Sequence, residues 1–432
     1  MNNTVALITL GCKVNQSETQ GIKEAFEASG WTAVPSSAPA DVYVVNTCSV
    51  TSMSESKGRQ MISRLHRQNP NAIIAVTGCY AQRDPDAIAS LNGVTLVVGT
   101  NHKGEIVRLC TEALNKVLSC TRLLTHPDTH IKYEDLPISG HAEHTRAYMK
   151  IQDGCRSFCS YCIIPHLRGV LRSRSMDSII SEAERLAQNG YSEIVLGGIH
   201  LTSYGVDNNS SLADVIAELQ KISGVKRIRL GSLEPMGITD DLLLKTAHCD
   251  KLCKHFHLSL QSGCDTVLER MNRKYTTAQY YDVVLKLRQK YPDCAISTDI
   301  IVGFPGETEQ EFDKTCDFVK KVGFAFVHVF PYSKRKGTVA AQMPDQLSPE
   351  VKKERHARLS LICAASKAEY LSRFVGTSQD VLIERTSRGV SRGLTQSHAE
   401  VVINATLTPG EVYSVEITAY NGSLEGKINQ NK

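Results

Sequence analysis

The first 120 residues alternate short, continuously apolar runs with stretches of helical period. "VALITL" (5 to 10), "DVYVVNTC" (41 to 48), "AIIAVTGC" (72 to 79) and "VTLVVG" (94 to 99) read as strands, and 17 to 29, 54 to 68 and 103 to 117 as helices. Strands rich in β-branched residues, apolar on both faces and separated by helices, predict an open parallel sheet covered on both sides. Residues 121 to 144 are polar, rich in His, Thr and Pro, and predict a linker. Alternation resumes from about 146 to 332, with strands near "RAYMKI", "EIVLGG", "KRIRLGS", "HFHLSL", "AISTDII" and "FAFVHVF". Six such strand–helix units predict an incomplete (β/α)6 barrel, open on one side. A basic helical stretch, 348 to 373, leads into a segment where "DVLIER", "EVVINA" and "EVYSVEITAY" alternate apolar and polar residues between Gly-containing turns. That pattern predicts a small antiparallel β-barrel or sandwich. The expected organisation is α/β: a sheet domain 1–120, a linker 121–144, a partial barrel 145–345, a basic helical connector 346–374 and a small β-barrel 375–432.

Composition narrows the class. The chain has 432 residues, 41% apolar and 22% charged, as in soluble globular proteins with several buried cores. No window of about 18 uncharged apolar residues predicts a membrane span. The opening "MNNTVALITLGC" lacks the charged and long apolar regions of a signal peptide, reads as a first strand, and makes a cytoplasmic location the expectation. The net charge of +4 by itself points neither toward nucleic acid nor away from it. Its distribution says more: residues 351 to 400 hold nine Lys/Arg against five Asp/Glu, and the stretch from Arg156 to Arg174 holds four arginines and no acid. Such runs are most often solvated faces.

Fourteen cysteines without a secretory signal predict reduced thiols, either buried or ligating metal. Three of them, Cys155, Cys159 and Cys162, lie in "DGCRSFCSYCIIPHLRG" (153 to 169), on a tight loop after a strand. A structural zinc site uses four protein ligands, and no fourth stands at suitable spacing. A [4Fe–4S] cluster held by three thiolates leaves one iron free to chelate a small molecule. Cys12, Cys48 and Cys79 each end one of the first three predicted strands. The carboxyl ends of neighbouring parallel strands meet at one edge, where ligands bind. These cysteines are therefore either three independent strand-end residues or a second cluster site with one free iron.

The C-x3-C-x2-C loop, with Tyr161 before its last cysteine, resembles the radical S-adenosylmethionine (SAM) superfamily. That resemblance implies that the free iron binds SAM, and that reductive cleavage of SAM yields a 5′-deoxyadenosyl radical. It also implies that Gly197 and Gly198, in "LGGIHLTSYG", receive the SAM amino group. "GSLEP" (231 to 235), "LSLQSG" (258 to 263) and "DIIVGFPGET" (299 to 308) end further strands, so Ser232, Glu234, Gln261 and Gly303 are candidate cofactor contacts at the barrel mouth.

Six segments, "TLGCKVNQSET" (9 to 19), "NTCSVTSMSESK" (46 to 57), "TGCYAQRDPDAI" (77 to 88), "QDGCRSFCSYCIIPHLRG" (152 to 169), "HLSLQSGCDTVLERMNRKYT" (257 to 276) and "FPYSKRKGT" (330 to 338), closely resemble the methylthiotransferases. "CKVNQSET" and "GCYAQR" are most similar to the branch acting on tRNA N6-threonylcarbamoyladenosine, and the last β-rich segment resembles the RNA-gripping TRAM domain. The resemblance implies replacement of hydrogen at C2 of adenosine 37, in the anticodon stem-loop, by a methylthio group. It implies two SAM per turnover, two [4Fe–4S] clusters, an electron donor and a sulfur donor. The two clusters must then face each other across the adenine, with the sheet edge packed over the barrel mouth. An RNA loop suits this, because its bases splay out. Arg156, Arg168, Arg172 and Arg174, and Arg385, Arg388 and Arg392, are the expected phosphate contacts. Arg335 and Lys336 are expected near SAM or substrate. The alternatives are a methylthiotransferase for isopentenyladenosine or for a ribosomal-protein aspartate, and a non-catalytic iron–sulfur or zinc protein that binds RNA.

Overall fold

The computed structural model describes residues 3–49, 52–115, 120–140 and 145–429. The N-terminal sheet holds β1 (Thr4–Thr9), β2 (Thr32–Ala33), β3 (Val42–Thr47), β4 (Ile73–Gly78), β5 (Val94–Val98) and β6 (Thr121–Leu123), all parallel, in the order β2-β1-β3-β4-β5-β6. The central strand β3 is buried along its whole length, as its unbroken apolar run requires. Helices α1 (Lys13–Ala28), α2 (Ser52–Gln68) and α3 (Cys79–Arg83) follow β1, β3 and β4. α1 docks by Ile22 and Phe26, whose ring meets Trp31 edge-on at 5.0 Å. The edge strands β2 and β6 escape the sequence pattern because two or three residues show no periodicity. β6 lies in the stretch predicted as a linker, held by backbone pairing to β5. The helix predicted over 103–117 runs as a short 3-10 turn and then Ile106–Asn115; positions 116 and 117 lie outside the described residues, as do 141–144 of the predicted linker and 430–432.

The central domain places β7 (Arg146–Asp153), β8 (Arg172–Ser173), β9 (Glu193–Gly198) and β10 (Arg227–Leu230) in one sheet, and β11 (Ser232–Leu233), β12 (His255–Leu258), β13 (Ala295–Val302) and β14 (Phe326–Pro331) in a second. β10 and β11 are one strand interrupted at Gly231, and the bridge Ile228–Leu252 ties the two sheets together. The result is the expected partial barrel of six main parallel strands in sequence order, with the short β8 added antiparallel to β7. Capping boxes at Thr276/Gln279 and Thr308/Glu311 start two of its outer helices. Ala147, Met149 and Ile151 of β7 pack outward into the main core, so Arg146, Tyr148, Lys150 and Gln152 face the barrel interior.

The basic connector is the helix Pro349–Ser372. Strands β15 (Ser378–Ser387), β16 (Val390–Thr395), β17 (Glu400–Ile403), β18 (Val412–Tyr420) and β19 (Leu424–Ile428) close into a barrel around Val381, Ile383, Val401, Ile403, Val415, Ile417 and Leu424. One pair, β17 with β19, is parallel. Strict alternation of direction cannot close a ring of five strands, which is why the barrel departs from the all-antiparallel expectation. Arg227 and Arg229 of β10 bind this small barrel to the large one, donating to the carbonyls of Leu394 at 3.0 Å and Gln396 at 3.0 Å. Among the described residues no helix is long and apolar enough to cross a membrane.

Candidate active site between two cysteine triads

β7 ends at Asp153 and turns through Gly154, whose φ is +79° and whose missing side chain leaves room for the Val170 carbonyl. The loop that follows carries Cys155, Cys159 and Cys162. It is pinned by Cys155 N–H to Gly169 O at 3.0 Å, Cys162 N–H to Cys159 O at 2.9 Å and Ser160 Oγ to Arg270 O at 2.8 Å. All three are free thiols. Burial raises the Cys155 thiol and pushes Cys162 up to about 12. Metal binding there must displace protons. Arg273 Nη1 lies 3.2 Å from Cys159 Sγ, and Nη2 donates to both carboxylate oxygens of Glu234, at 2.7 and 2.8 Å. Sequence reasoning quoted the segment that holds Arg273 but gave this residue no role, because its partners Cys159 and Glu234 lie 114 and 39 positions away.

The second triad sits on the neighbouring strands β1, β3 and β4. Cys12 caps α1, Cys48 follows β3 and is buried, and Cys79 begins α3 and is buried. The chain at Gly11 passes so close that a Cβ there would stand 2.7 Å from Cys48 Cβ. Asn15 Nδ2 ties the two strand ends by donating to Leu10 O at 2.9 Å and Thr47 O at 3.1 Å. Burial raises the Cys79 thiol against the pull of Arg168, and Cys12 adds to the rise. The two triads meet at one interface, since Cys79 packs directly on Ile163 and Leu167 of the other triad's loop. Among the described residues no three His, Cys, Asp or Glu side chains converge on a single-ion position. A cubane differs, since it spreads its thiolates over separate irons.

The remaining candidates divide. Gly197 and Gly198 close β9, and Gln152 reaches across them to accept from His200 N–H at 2.7 Å. Ser232, Glu234 and Gln261 stand at carboxyl ends of inner strands, Gln261 with φ +72°. Gly303 differs: its N–H is committed to Glu307 Oε2 at 2.7 Å, beneath Lys352 of the connector helix, so it serves the turn and offers its amide to no cofactor.

The arginines of the first basic run are corrected by burial. Arg168, Arg172 and Arg174 are 0%, 3% and 2% exposed, enclosed by Glu18, Asp153, Asp135 and Glu182. A guanidinium sealed against carboxylates cannot meet RNA phosphate; only Arg156 of that run is exposed. In the small barrel Arg385 and Arg388 are exposed and Arg392 half-exposed. Arg335 is buried and pairs with Glu55 and with Ser49 Oγ at 2.9 Å, tying the end of the large barrel to the segment after Cys48. Lys336 is exposed and lines a cleft of about 740 Å³ with Arg83, His126 and His166.

Residues 4–99 match the family described as Uncharacterized protein family UPF0004, and residues 149–319 the Radical SAM superfamily. Over 410 residues the chain is 41% identical to threonylcarbamoyladenosine tRNA methylthiotransferase MtaB of Bacillus subtilis (strain 168), spanning 93% of this chain and 91% of the relative. The chain belongs to the radical SAM methylthiotransferases. A relative from Aquifex aeolicus (strain VF5) with the same name is 37% identical over 89% of this chain and 93% of its own length. The tRNA-2-methylthio-N(6)-dimethylallyladenosine synthase of Acetivibrio thermocellus is 36% identical over 98% of this chain and 90% of its own. The solved radical SAM methyltransferase TsrM from Kitasatospora setae, with cobalamin and a [4Fe–4S] cluster bound, shares the fold at TM-score 0.59 and 14% identity, over 79% of this chain and 74% of that one. As a radical SAM methylthiotransferase the protein is a transferase of sulfur-containing groups and uses SAM with a [4Fe–4S] cluster.

Proposed function

We propose that this methylthiotransferase converts N6-threonylcarbamoyladenosine at position 37 of tRNA to its 2-methylthio derivative, with Cys155, Cys159 and Cys162 holding the SAM-binding cluster and Cys12, Cys48 and Cys79 a second one. The observation that supports this reading is the packing of Cys79 in one cluster with Ile163 and Leu167, which brings the strand ends bearing the second cysteine set against the loop bearing the first. The donor chemistry fits: each set is of free cysteines, with three ligands and not four. When bound, the clusters and SAM supply the radical and the sulfur that replacement of the C2 hydrogen needs.

The chain's own residues bind and orient. Arg273 neutralises Glu234 beside Cys159 and fixes that carboxylate at the barrel mouth. Gln152 holds the loop by donating to the carbonyls of Asp153 and Gly154 at 2.8 and 2.9 Å. His328 and Phe330 of β14 are exposed with rings 6.3 Å apart, offering a stacking surface to an unstacked base at the barrel's open side. Arg385 and Arg392 stand directly opposite each other on β15 and β16, with Glu400 the one carboxylate within 4.0 Å of them among the described residues, at 3.6 and 3.5 Å. Glu400 offsets one of these two positive charges, and the remaining charge is open to an RNA phosphate.

The test uses reconstituted protein, reductant, SAM and two anticodon stem-loops, one with threonylcarbamoyladenosine and one with dimethylallyladenosine. A methylthio group gained by the first alone supports the proposal. Gain by the second alone supports the other reading, which the Acetivibrio relative favours.

A further inference from the structure

Lys13 follows Cys12 directly and opens α1, yet its side chain leaves the N-terminal domain. Its Nζ stands 5.1 Å from the ring centre of Tyr148, an inward-facing residue of β7. Arg146, on the same inner face, pairs with Glu384 of the small barrel at 2.7 Å through Nη2. Its Nη1 is 3.9 Å from Glu193 and is buried with no hydrogen-bond partner. Arg227 and Arg229 share that same Glu193, at 3.6 and 2.6 Å. Lys13, Arg146, Arg227 and Arg229 thus face two carboxylates, Glu193 and Glu384, and the layer carries an excess of positive charge. Lys13 itself has no carboxylate within 4.0 Å among the described residues. His255 and His398 close the far side, with burial and these same cations holding them neutral.

A solvent-accessible ammonium without a carboxylate partner, beside an orphaned guanidinium N–H, is complementary to one carboxylate. In adenine C2 and C6 flank N1 and the N6 substituent hangs from C6, so whatever holds that substituent stands within a side chain's length of the reacting carbon. Lys13 is the covalent neighbour of a triad cysteine and meets that requirement. We propose that Lys13, with Arg146 beside it, receives the carboxylate of the threonylcarbamoyl group and so selects that nucleoside over one with an apolar N6 substituent. This rests on the threonylcarbamoyl reading above. The methionyl carboxylate of SAM is the other available source of the same chemistry, and the test separates the two.

The holoenzyme is titrated with stem-loops carrying threonylcarbamoyladenosine or its methyl ester, and separately with SAM alone, for wild type, Lys13→Gln and Lys13→Arg. Wild type is expected to bind the acid ~10-fold more tightly than the ester, the size of one charged hydrogen bond. Lys13→Gln should bind the two alike with ester affinity unchanged, Lys13→Arg should keep a preference for the acid, and SAM affinity should not move. A wild type that binds acid and ester equally overturns the proposal with no variant needed. So does Lys13→Gln that keeps the acid preference, loses both RNAs together, or loses SAM instead. If wild type methylthiolates only the dimethylallyl loop, the functional reading falls as well; if it methylthiolates the threonylcarbamoyl loop while Lys13→Gln keeps the preference, this inference falls alone.

Discussion

Glu18 of α1 and Arg168 of the cysteine loop's short helix form a buried ion pair across the two domains, with Arg168 Nη2 to Glu18 Oε2 at 3.2 Å and both side chains almost wholly excluded from solvent. Lys103 and Lys150 also reach Glu18, at 3.4 and 2.8 Å, and Asp153 balances Arg168 at 3.2 Å. The network joins the sheet bearing one cysteine triad to the strand bearing the other, so it sets how the two triads face each other.

Breaking that pair leaves a buried charge without its partner. Glu18→Gln is expected to destabilise the apoprotein by about 3–5 kcal/mol, whereas replacing Glu18 and Arg168 together by Met should cost less. Thermal unfolding of the single and double variants measures both. Equal destabilisation by the two would show that the pair is not the source.

The same residue sets an acid limit. Burial alone would raise the Glu18 carboxyl, but Arg168, Lys103 and Lys150 outweigh it and hold it well below the usual range. Its folded pKa is depressed, so its contribution to stability is full above the unfolded value of roughly 4.3 and is lost as pH falls from there toward the folded value. Stability of the wild type measured from pH 6 downward should therefore fall more steeply than that of Glu18→Gln. Parallel curves would remove Glu18 from the account.

At Gly11 the backbone has φ +118° and a methyl would press on Cys48. Gly11→Ala should displace Cys48 while leaving the Cys155 loop intact. After anaerobic reconstitution, about eight irons per chain in wild type should fall to about four in this variant, and to about four in Cys12→Ala/Cys48→Ala/Cys79→Ala. Four irons in wild type and variants alike would mean that the N-terminal cysteines hold no cluster.

For RNA, Arg385→Ala and Arg392→Ala should each weaken stem-loop binding regardless of sequence and reduce the salt slope by about one. Arg174, sealed against Glu182 at 2.9 Å, should instead act on stability when changed, with no loss of salt slope in the folded fraction. A binding isotherm at several salt concentrations distinguishes them.

By itself the sequence determined the layer order, the C-x3-C-x2-C loop and the family. Local periodicity fixes strands and helices, and ligand spacing within one loop survives without knowledge of the rest. It also carried an unread sign of the interface: Glu18 lies on the stripe Val14, Glu18, Ile22, Phe26, a charge on the buried face of an amphipathic helix, which must find a partner. The tertiary structure alone decided what the arginines do. Arg168, Arg172, Arg174 and Arg335 look like any basic surface run in the chain, but their charges are compensated by Glu18, Asp153, Glu182 and Glu55, as many as 280 positions away or as near as eight. Charge pairing depends on distance in space, and sequence separation carries none of it. The same holds for Lys13, whose neighbours Tyr148, Arg146 and Glu384 come from two other domains.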